Sequence, residues 1–558
     1  MPPRVLICSN YYPPTFVGGA ELIAARQARA LAALGTEVAV FAGDPTGRTR
    51  RHGRRRETHA GLPVYRVGLE HRDFDPDFVN FVHPEVEDHF DALLATYRPD
   101  VVHFHNLVGL SVALVGVARR RGVKTVLTVH DHWGFCHKNT LLKRGLEVCA
   151  DYTRCAECRP LIGDGAARNV PIRMRRDFVR AQLEQLDAIV APSGYLADAY
   201  ARAGLPRERI HVVWYGIDVA RFAAVQKTAG ARVRFSFVGY LGAHKGVHVL
   251  LDALALLDDP TRVFVHFAGD GGERDACERR VRAIGLGDAV RFWGQVDNAR
   301  IDAVYAETDV LVLPSVWPEN QPVCLTEAMA ARTAVIASRI GGIPELVEDG
   351  RSGRLFTPGN ATELAACMTE FVHTPSRAIE YGEEGHRRMA VNTLEGQVAK
   401  LLALYGSLPS RATDDTDLRF VCAGERVDPE CARAMNALAR QGDRRWRFVL
   451  ADWVDDDELA RARALWVVDR SAGVADVLRG LRRGVPLLVP EDDTELRDLC
   501  VSVGCGLFYR DAAEAIRCLE HLVANEATRR TLGDNGRAFV ARPWRASGAV
   551  ENQKHEVH

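Results

Sequence analysis

Residues 309–329 have the sequence DVLVLPSVWPENQPVCLTEAM, which combines a buried strand, a polar loop and the first turn of a helix. The apolar run after Asp309 predicts the strand, and the helix is expected to begin near Pro322. Glu319 lies on the loop and Glu327 lies in the helix. In a parallel α/β sheet this edge holds ligands, and the free N–H groups at a helix start attract anions. Because helix starts also attract acids for dipole reasons alone, the two glutamates gain meaning only from the rest of the chain.

The size and composition of the chain indicate a multidomain globular protein. With 558 residues it is too long for one ordinary core, so two or three domains are expected. Its apolar content of 47% and its net charge of −1 argue against a nucleic-acid binder, which would usually be strongly basic. Neither a signal peptide nor an apolar run long enough to span a bilayer is apparent. We therefore expect a cytoplasmic protein that can also work at the inner face of the plasma membrane.

Short apolar runs alternate with helical patterns in two sets, which is typical of βαβ units and parallel sheets. The first set of predicted strands comprises residues 4–8, 37–41, 101–104, 124–129, 188–191 and 211–213. The second set comprises residues 234–238, 263–268, 290–294, 310–314 and 334–337. We predict an α/β protein in which two Rossmann-like domains face each other across a cleft. The predicted N-terminal domain covers residues 1–215 and is completed by a helix over residues 385–405; the C-terminal domain covers residues 216–384.

The tail of the chain repeats the second domain in truncated form. Residues 291–312 align without gaps with residues 447–468, and short matches continue to residues 353–356 and 505–508. The copy begins at the equivalent of the strand over residues 263–268 and has Leu478 where Glu327 would fall. Any two α/β segments can share such patterns, but the length of the agreement favours duplication. We predict a degenerate, non-catalytic Rossmann-like repeat over residues 415–545 that docks a partner or supports the second domain.

Two glycine-containing loops follow the first strand of each predicted sheet. Gly18 and Gly19 open a helix, where backbone N–H groups can approach an anion closely, although a plain tight turn explains the pair equally well. Lys245 and Gly246 stand at the matching place in the second domain. A lysine there can neutralise a phosphate as a point charge, whereas most lysines are solvated surface residues. The shared topological position favours a functional Lys245.

With these residues together, the chain resembles the retaining glycosyltransferases of the GT-B fold, specifically glycosyltransferase family 4, over residues 4–405. The motifs that carry the resemblance are Gly18-Gly19, residues 100–105, residues 129–131, residues 215–218, Lys245-Gly246, the pair Glu319 and Glu327, and residues 341–345. The combination is specific, above all the two glutamates with Lys245.

The resemblance implies roles for individual residues. Lys245 would bind the donor diphosphate, Glu319 would contact the hydroxyl groups of the donor sugar, and Glu327 would bind the ribose. His130 would lie across the cleft near the transferred sugar or the acceptor; with Lys245 and Glu319 it forms the implied catalytic set. The implied donor-binding residues are Gly18, Gly19, Lys245, Pro322, Val323, Cys324, Leu325 and Glu327.

The implied reaction moves a sugar from a nucleotide sugar (UDP-, GDP- or similar) to a glycan, a lipid-linked or a small-molecule acceptor, with retention of configuration. The leaving diphosphate would take the proton of the acceptor, so neither a dedicated base nor a catalytic cofactor is implied. The family often has an arginine where this chain has Tyr240, so the second cation would come from another arginine or from helix dipoles. The alternatives are a sugar-nucleotide epimerase of the same fold and a non-catalytic glycan or nucleotide binder.

Cys136, Cys149, Cys155 and Cys158 form a separate pattern, C-x12-C-x5-C-x2-C, in a loop-rich segment. This spacing can close a tetrahedral zinc site. We interpret the cluster as a possible structural zinc site that staples a lid over the acceptor side of the cleft. Four reduced thiols, or a redox-sensitive pair, are the alternative.

Two further patterns belong to the acceptor-side domain. The basic runs over residues 48–56 and 168–180 could contact anionic lipid at a membrane periphery or bind an acidic acceptor, or they could be solvated charged loops. His103 and His105 alternate on a predicted strand. We expect His103 to pack in the core and His105, at the strand end, to be a cleft candidate.

Overall fold

The computed structural model describes residues 3–15, 18–163, 169–228, 230–409, 417–423, 445–451, 462–468 and 474–541, together with residues 429, 431–433, 435 and 459. It divides the chain into two units, Met1–Arg411 and Ala412–His558.

The first sheet has eight strands in the order β10-β9-β6-β5-β1-β2-β4-β3, all parallel except that β3 runs antiparallel to β4. Its strands, and the small antiparallel pair β7–β8, are β1 (Arg4–Ser9), β2 (Glu37–Asp44), β3 (Arg54–His59), β4 (Leu62–Gly68), β5 (Val101–Phe104), β6 (Lys124–Thr128), β7 (Leu161–Gly163), β8 (Asn169–Pro171), β9 (Ala188–Ala191) and β10 (Ile210–Val212). The helices around it are α1 (Gly19–Ala33), α2 (His71–Phe74), α3 (Pro84–Tyr97), α4 (Leu114–Arg120), α5 (Cys155–Cys158), α6 (Ile172–Leu183), α7 (Gly194–Arg202) and α8 (Val219–Ala223).

The second sheet has six parallel strands in the order β13-β12-β11-β14-β15-β16. Its strands are β11 (Val233–Val238), β12 (Val263–Ala268), β13 (Val290–Gly294), β14 (Val310–Leu313), β15 (Ala334–Ser338) and β16 (Arg354–Phe356). The helices of this part are α9 (Val247–Leu254), α10 (Arg274–Ala283), α11 (Ile301–Ala306), α12 (Val323–Ala330), α13 (Ile343–Leu346), α14 (Ala361–His373), α15 (Ser376–Met389) and α16 (Leu394–Ser407). Short 3-10 turns lie at Arg144–Leu146, Arg207–Arg209, Ala243–Lys245, Pro260–Arg262, Gly287–Ala289 and Asn298–Arg300.

Both sheets are buried on their two faces, as their almost continuous apolar strands predict. Separate apolar clusters cover the two faces of the first sheet and the two faces of the second. The prediction of two Rossmann-like α/β domains is therefore confirmed. In both sheets the strand order reverses beside the first strand, which places the β1–α1 loop and the β11–α9 loop at ligand-binding switch points.

The prediction of a single helix over residues 385–405 is wrong, because two helices share this range. α15 ends at Met389 and packs against α12 and β15 of the second sheet. α16 begins after Thr393, whose side chain accepts a hydrogen bond from Gly396 N and whose backbone is extended. Thr393 also forms a β-bridge with Ile217, so this break fastens the returning chain to the connection between the domains.

The basic run over residues 48–56 is only partly a loop, because its last three residues belong to β3. This strand lies at the edge of the first sheet and pairs with β4 alone. Charged side chains are common on such edges, where they oppose pairing with another chain. The hairpin escaped prediction because its strand lacks apolar alternation. Residue 168, the first of the second basic run, lies outside the described residues.

The second unit contains one parallel sheet of five strands in the order β18-β17-β19-β20-β21. Its strands are β17 (Asp417–Ala423), β18 (Arg445–Ala451), β19 (Ala462–Val467), β20 (Leu487–Pro490) and β21 (Gly506–Tyr509). Its longer described helices are α17 (Val474–Arg483), α18 (Thr494–Val503), α19 (Ala512–Ala524) and α20 (Glu526–Val540). Duplication of the second domain stays a prediction. Parts of the predicted repeat lie outside the described residues, namely residues 415–416, 424–428, 430, 434, 436–444, 452–458, 460–461, 469–473 and 542–545.

None of the described helices combines the length and the apolar character that crossing a bilayer requires.

The return of the chain to the first sheet depends on a buried polar contact. Tyr405 of α16 places its hydroxyl 2.6 Å from His103 Nδ1, and the other ring nitrogen of His103 lies 2.7 Å from Thr128 Oγ1. We predict that Tyr405→Phe lowers the free energy of unfolding of the first unit by about 1–3 kcal/mol, because a buried imidazole nitrogen loses its partner.

Chemical denaturation measures this effect. Tyr152→Phe is the matched control, since the Tyr152 hydroxyl forms no hydrogen bond with another described residue. A loss no larger than that of the control would contradict the prediction.

Candidate functional site

Two helix starts face each other across the cleft. Gly18 is the N-cap of α1 in the first domain, and Pro322 is the N-cap of α12 in the second. A side chain at Gly19 would meet Val323 Cγ2 at 3.4 Å, so the two starts are in near contact. The first N–H groups of a helix have no intrahelical acceptor, and the dipole favours anions there. The arrangement suits a phosphate group between the domains.

Not every residue of the predicted donor set can reach that space with its side chain. Val323 and Cys324 are half-buried, whereas Leu325 is fully buried in the core below the cleft. The backbone N–H of Leu325 donates to Pro322 O at 3.1 Å. Gly18 N donates to the Glu21 carboxylate at 2.9 Å, which caps α1 in this structure.

Glu319 and Lys245 form an ion pair on the wall of the second domain. Lys245 Nζ donates to Glu319 Oε1 at 2.7 Å. The same oxygen accepts hydrogen bonds from Ser315 Oγ and Trp317 Nε1, both at 2.8 Å. The Lys245 ammonium also lies 4.8 Å from the centre of the Trp317 ring, a cation–π distance. Three donors therefore converge on one carboxylate oxygen, and the Glu319 side chain is held in one orientation.

Glycines bring these two residues together. Gly246 has a φ of 69°, and a Cβ there would lie 1.8 Å from Pro314 O, so no other residue fits beside Lys245. Gly341 has a φ of 60°, and a Cβ there would lie 2.0 Å from Glu319 O. Gly342 N donates to that same carbonyl oxygen at 2.7 Å. The glycine motifs of the sequence thus shape the backbone that presents Lys245 and Glu319.

Glu327 is buried and pairs with a residue of the opposite domain. Its Oε1 accepts from an Arg26 guanidinium nitrogen at 2.9 Å, and its Oε2 accepts from Tyr305 Oη at 3.2 Å. Burial raises the pKa of Glu327, and the Arg26 charge opposes that rise. Arg26 lies on α1, so this ion pair bridges the cleft. Sequence analysis missed Arg26, since an arginine within a helix carries no local signal of such a contact.

His130 stands at the middle of a row of rings. Its Nδ1 lies 2.7 Å from Tyr215 Oη, and its Nε2 lies 2.9 Å from His105 Nδ1. Burial lowers the pKa of His130 to about 3, so the ring is neutral at physiological pH. The His105 ring stacks between those of His103 and His130. His103 is fully buried, as expected of a core histidine, and His105 borders a small cavity beside His130.

Polar side chains from the second domain fasten the two walls together. Asn320 donates through its amide to the carbonyl oxygen of His130. Gln321 exchanges hydrogen bonds with the backbone of Tyr215, at 2.6 and 3.1 Å. Glu345 accepts from Gly194 N at 2.9 Å and from the next backbone N–H at 2.7 Å, which caps α7. The residues beside Glu319 therefore set the distance between the domains.

Tyr240 occupies the position where a second cation was expected. Its side chain is 56% exposed and stacks on the His244 ring. Its hydroxyl accepts a long hydrogen bond from Gly272 N, 3.4 Å. Arg26 is a cation that the opposite domain contributes to the site, beside Glu327.

The four cysteines of the predicted zinc site line one narrow cavity, together with Phe135, Leu141, Leu142 and Tyr152. Burial raises the pKa of the Cys136 and Cys155 thiols, and the Cys136 thiol raises that of Cys155 further. The sulfur atoms do not converge as in a closed metal site. Among the described residues, the group of three ligand atoms that all lie within 4.8 Å of one another belongs instead to His52, Asp73 and His83.

Part of the second basic run is buried rather than solvated. The Arg175 guanidinium lies 4.8 Å from the centre of the Trp133 ring and donates to Trp133 O at 2.8 Å. Burial lowers the pKa of Arg175 to about 10. The residue therefore supports the loop that follows His130 and is not available to a membrane or an acceptor.

Comparisons with known proteins give the family. The family described as Glycosyltransferase Family 4 matches residues 17–221, and the family described as Glycosyl transferases group 1 matches residues 221–388. The D-inositol 3-phosphate glycosyltransferase of Corynebacterium urealyticum is 30% identical in an alignment of 328 residues that covers 54% of this chain and 76% of that protein. The MMP alpha-(1->4)-mannosyltransferase of Mycolicibacterium hassiacum is 26% identical over 71% of this chain and 96% of its own length.

Solved structures share the fold. The sucrose-phosphate synthase of Thermosynechococcus elongatus superposes with a TM-score of 0.56 at 21% identity, over 72% of this chain and 98% of that one. The Anabaena protein HepE, in complex with UDP and glucose, superposes with a TM-score of 0.53 at 19% identity, over 73% and 100% of the two chains. The chain therefore belongs to glycosyltransferase family 4, the glycosyl transferases group 1, and is a retaining glycosyltransferase of the GT-B fold that uses a nucleotide-sugar donor.

Proposed function

We propose that the chain transfers a hexosyl residue from a UDP-sugar to a hydroxyl group of an acceptor that carries negative charge. The observation that carries the proposal is the Lys245–Glu319 ion pair, which lies where a helix start from each domain faces the cleft. A lysine at this place can accompany a leaving diphosphate, and the fixed glutamate can receive sugar hydroxyl groups. Glu327 is proposed to bind the ribose after exchanging its contact with Arg26.

Uracil is the proposed base of the donor, because solved structures of the same fold contain UDP or a UDP-sugar. The Anabaena protein HepE was solved with UDP, with UDP and glucose, and with UDP-glucose. The trehalose-6-phosphate protein of E. coli was solved with UDP-2-fluoro glucose. GDP is the alternative.

The acceptor class is proposed from charge. Arg48, Arg50, Arg54 and Arg55 line an open pocket in the first domain. Arg48, Arg50 and Arg54 form no ion pair with another described residue. A relative is named for D-inositol 3-phosphate, a phosphorylated polyol. Anionic lipid at a membrane periphery is the other partner that such a pocket would attract.

The first test concerns Lys245. We expect Lys245→Ala to lower kcat by about 10²–10³-fold, because the diphosphate loses the cation that stabilises it as it leaves. The measurement is release of UDP from a UDP-sugar, by transfer or by slow hydrolysis, with circular dichroism as the check of folding. Lys400→Ala, at an exposed position of α16, is the matched control. Equal rates for the two variants would refute the assignment of Lys245.

The second test concerns the donor. A ligand at 100 times its Kd adds about 2.7 kcal/mol to stability, so the correct nucleotide sugar should raise the Tm of the protein clearly. We expect the shift with UDP-sugars, and its loss in Glu327→Ala. A shift with GDP-sugars alone would overturn the proposed base, and a full UDP-sugar shift in folded Glu327→Ala would overturn the role of Glu327.

The third test concerns zinc. We propose that the four cysteines bind one structural zinc ion, which requires their side chains to turn toward one another in the cavity that they share. Protein purified without chelator should carry a zinc ion that a thiol-modifying reagent releases, and Cys136→Ser and Cys155→Ser should each lose it. Cys518→Ser, at a half-buried position of the second unit, is the control. Folded wild-type protein without thiol-bound zinc would contradict the proposal.

A further inference from the structure

A second group of possible metal ligands lies in the first domain, away from the cysteines. His52 precedes β3, Asp73 belongs to α2, and His83 is the N-cap of α3. One ring nitrogen of each histidine and one carboxylate oxygen of Asp73 lie within 4.8 Å of one another. Asp73 is 1% exposed and His83 is 5% exposed, so the group is buried rather than a surface cluster. Three separate segments of the chain thus bring metal-binding atoms to one point.

A carboxylate lies beside one ring nitrogen of His52. Nδ1 is 3.3 Å from Glu85 Oε2, an ion-pair distance, and a proton on Nδ1 would leave the lone pair on Nε2. Nε2 is buried and has no hydrogen-bond partner within the described part of the chain. A carboxylate on one ring nitrogen with a metal on the other is the usual surrounding of a metal-binding histidine.

His83 presents the same feature. Its Nε2 is also buried without a hydrogen-bond partner among the described residues. The centres of the two imidazole rings are 5.2 Å apart. Two buried nitrogens without partners at one place are costly unless a ligand satisfies them.

Asp73 is already oriented by other groups. Its oxygens accept hydrogen bonds from the Arg51 guanidinium and, at 2.8 Å, from Glu70 N. Each carboxylate oxygen has two lone pairs, so these bonds leave acceptor capacity for a metal. The Arg51 charge works against a cation, but Glu70 and Glu85 place two further carboxylates near Arg51 and His52. Arg72 also pairs with Glu70, at 3.4 Å. The two arginines and three carboxylates around the group therefore carry a net negative charge, which favours a bound cation.

The backbone supports the same conclusion. His52 has a φ of 54°, a conformation that non-glycine residues seldom adopt. Hydrogen bonds hold it there, since His52 N donates to Gly68 O at 2.7 Å and His52 O lies 2.9 Å from a His89 ring nitrogen. The ring of His52 is thereby directed toward Asp73 and His83.

We propose that His52, Asp73 and His83 bind one divalent transition-metal ion of the zinc type. Two imidazoles and a carboxylate are a ligand set that zinc takes, with a water left for the fourth position. Zinc ligands lie about 2.0–2.2 Å from the ion, so small side-chain rotations close the present separations. The ion would fasten the residue 48–53 loop, α2 and the start of α3 to one another.

Side-chain contacts connect the proposed metal site to the cleft. Phe74 of α2 stacks on Tyr11 with ring centres 4.6 Å apart, and Tyr11 belongs to the loop that leads to Gly18. A metal beside Asp73 would therefore steady the acceptor-side wall of the cleft. This role is structural and does not depend on which donor or acceptor the enzyme uses.

Cobalt titration of the chelator-treated full chain tests the proposal, with Co²⁺ alone as the probe and absorption spectroscopy as the readout. We expect one Co²⁺ with d–d bands alone, in addition to the ion that the four cysteines bind and that a thiolate charge-transfer band identifies. In Cys136→Ser, which removes the cysteine site, the d–d bands should remain without the thiolate band. His52→Ala and His83→Ala should weaken this binding by more than about 100-fold, and Glu85→Gln by about tenfold. His71→Ala, an exposed imidazole of the same segment, should leave it unchanged.

Two results would overturn the proposal. One is wild-type protein that binds cobalt only through thiolates or not at all. The other is binding that persists in folded His52→Ala and His83→Ala. If either histidine variant is unfolded by circular dichroism, the wild-type spectrum and Glu85→Gln decide, because Glu85 is exposed and its replacement by an isosteric amide leaves the fold intact.

Discussion

The proposed donor site depends on a largely buried charge pair, Lys245 with Glu319. Removing one member of such a pair leaves an uncompensated charge, at a cost of about 3–5 kcal/mol. Ser315 and Trp317 lower the cost of burying the carboxylate by donating to it. Arg26 and Glu327 repeat the arrangement across the cleft. Both glutamates thus have cationic partners in this structure. A donor that contacts them must replace these ion pairs, so its binding free energy is the difference between the contacts that it forms and the contacts that it breaks.

Local sequence could predict the residues whose chemistry depends on their immediate neighbours. The Lys245-Gly246 pair and Gly341 can be recognised in the sequence, because only glycine fits the backbone that positions Lys245 and Glu319. Contacts between distant segments leave no such mark. Arg26 meets Glu327 from another domain, and His52 meets Asp73 across a loop and a hairpin. The break before α16 was missed for the same reason, since the bridge of Thr393 to Ile217 exists only in the folded chain.

The sheet of the second unit has a strand order similar to that of the second domain. It keeps parallel strands around β17, which pairs with β18 and β19 as β11 pairs with β12 and β14. By topology β17 thus holds the place of β11, whereas the gapless alignment begins the copy one strand later. In the comparison by topology, the five-stranded sheet lacks a counterpart of the edge strand β13. In either case Leu478 of α17 stands where the alignment would place Glu327, and its side chain is 40% exposed. A leucine cannot receive ribose hydroxyl groups, so the predicted repeat is expected to lack the donor chemistry proposed for the second domain.

The surroundings of His130 limit how the proton of the acceptor can leave. An effective general base has a pKa near the working pH, whereas burial holds the pKa of His130 at about 3. Both of its ring nitrogens are also engaged, by Tyr215 and by His105. We therefore propose that the contribution of His130 is positional, because its carbonyl oxygen receives the amide of Asn320, the neighbour of Glu319. In the proposed reaction the neutral rings around His130 offer no acceptor of suitable basicity. An oxygen of the departing diphosphate, which is proposed to bind next to Lys245, is then the expected destination of the proton, in agreement with retention through a same-face displacement.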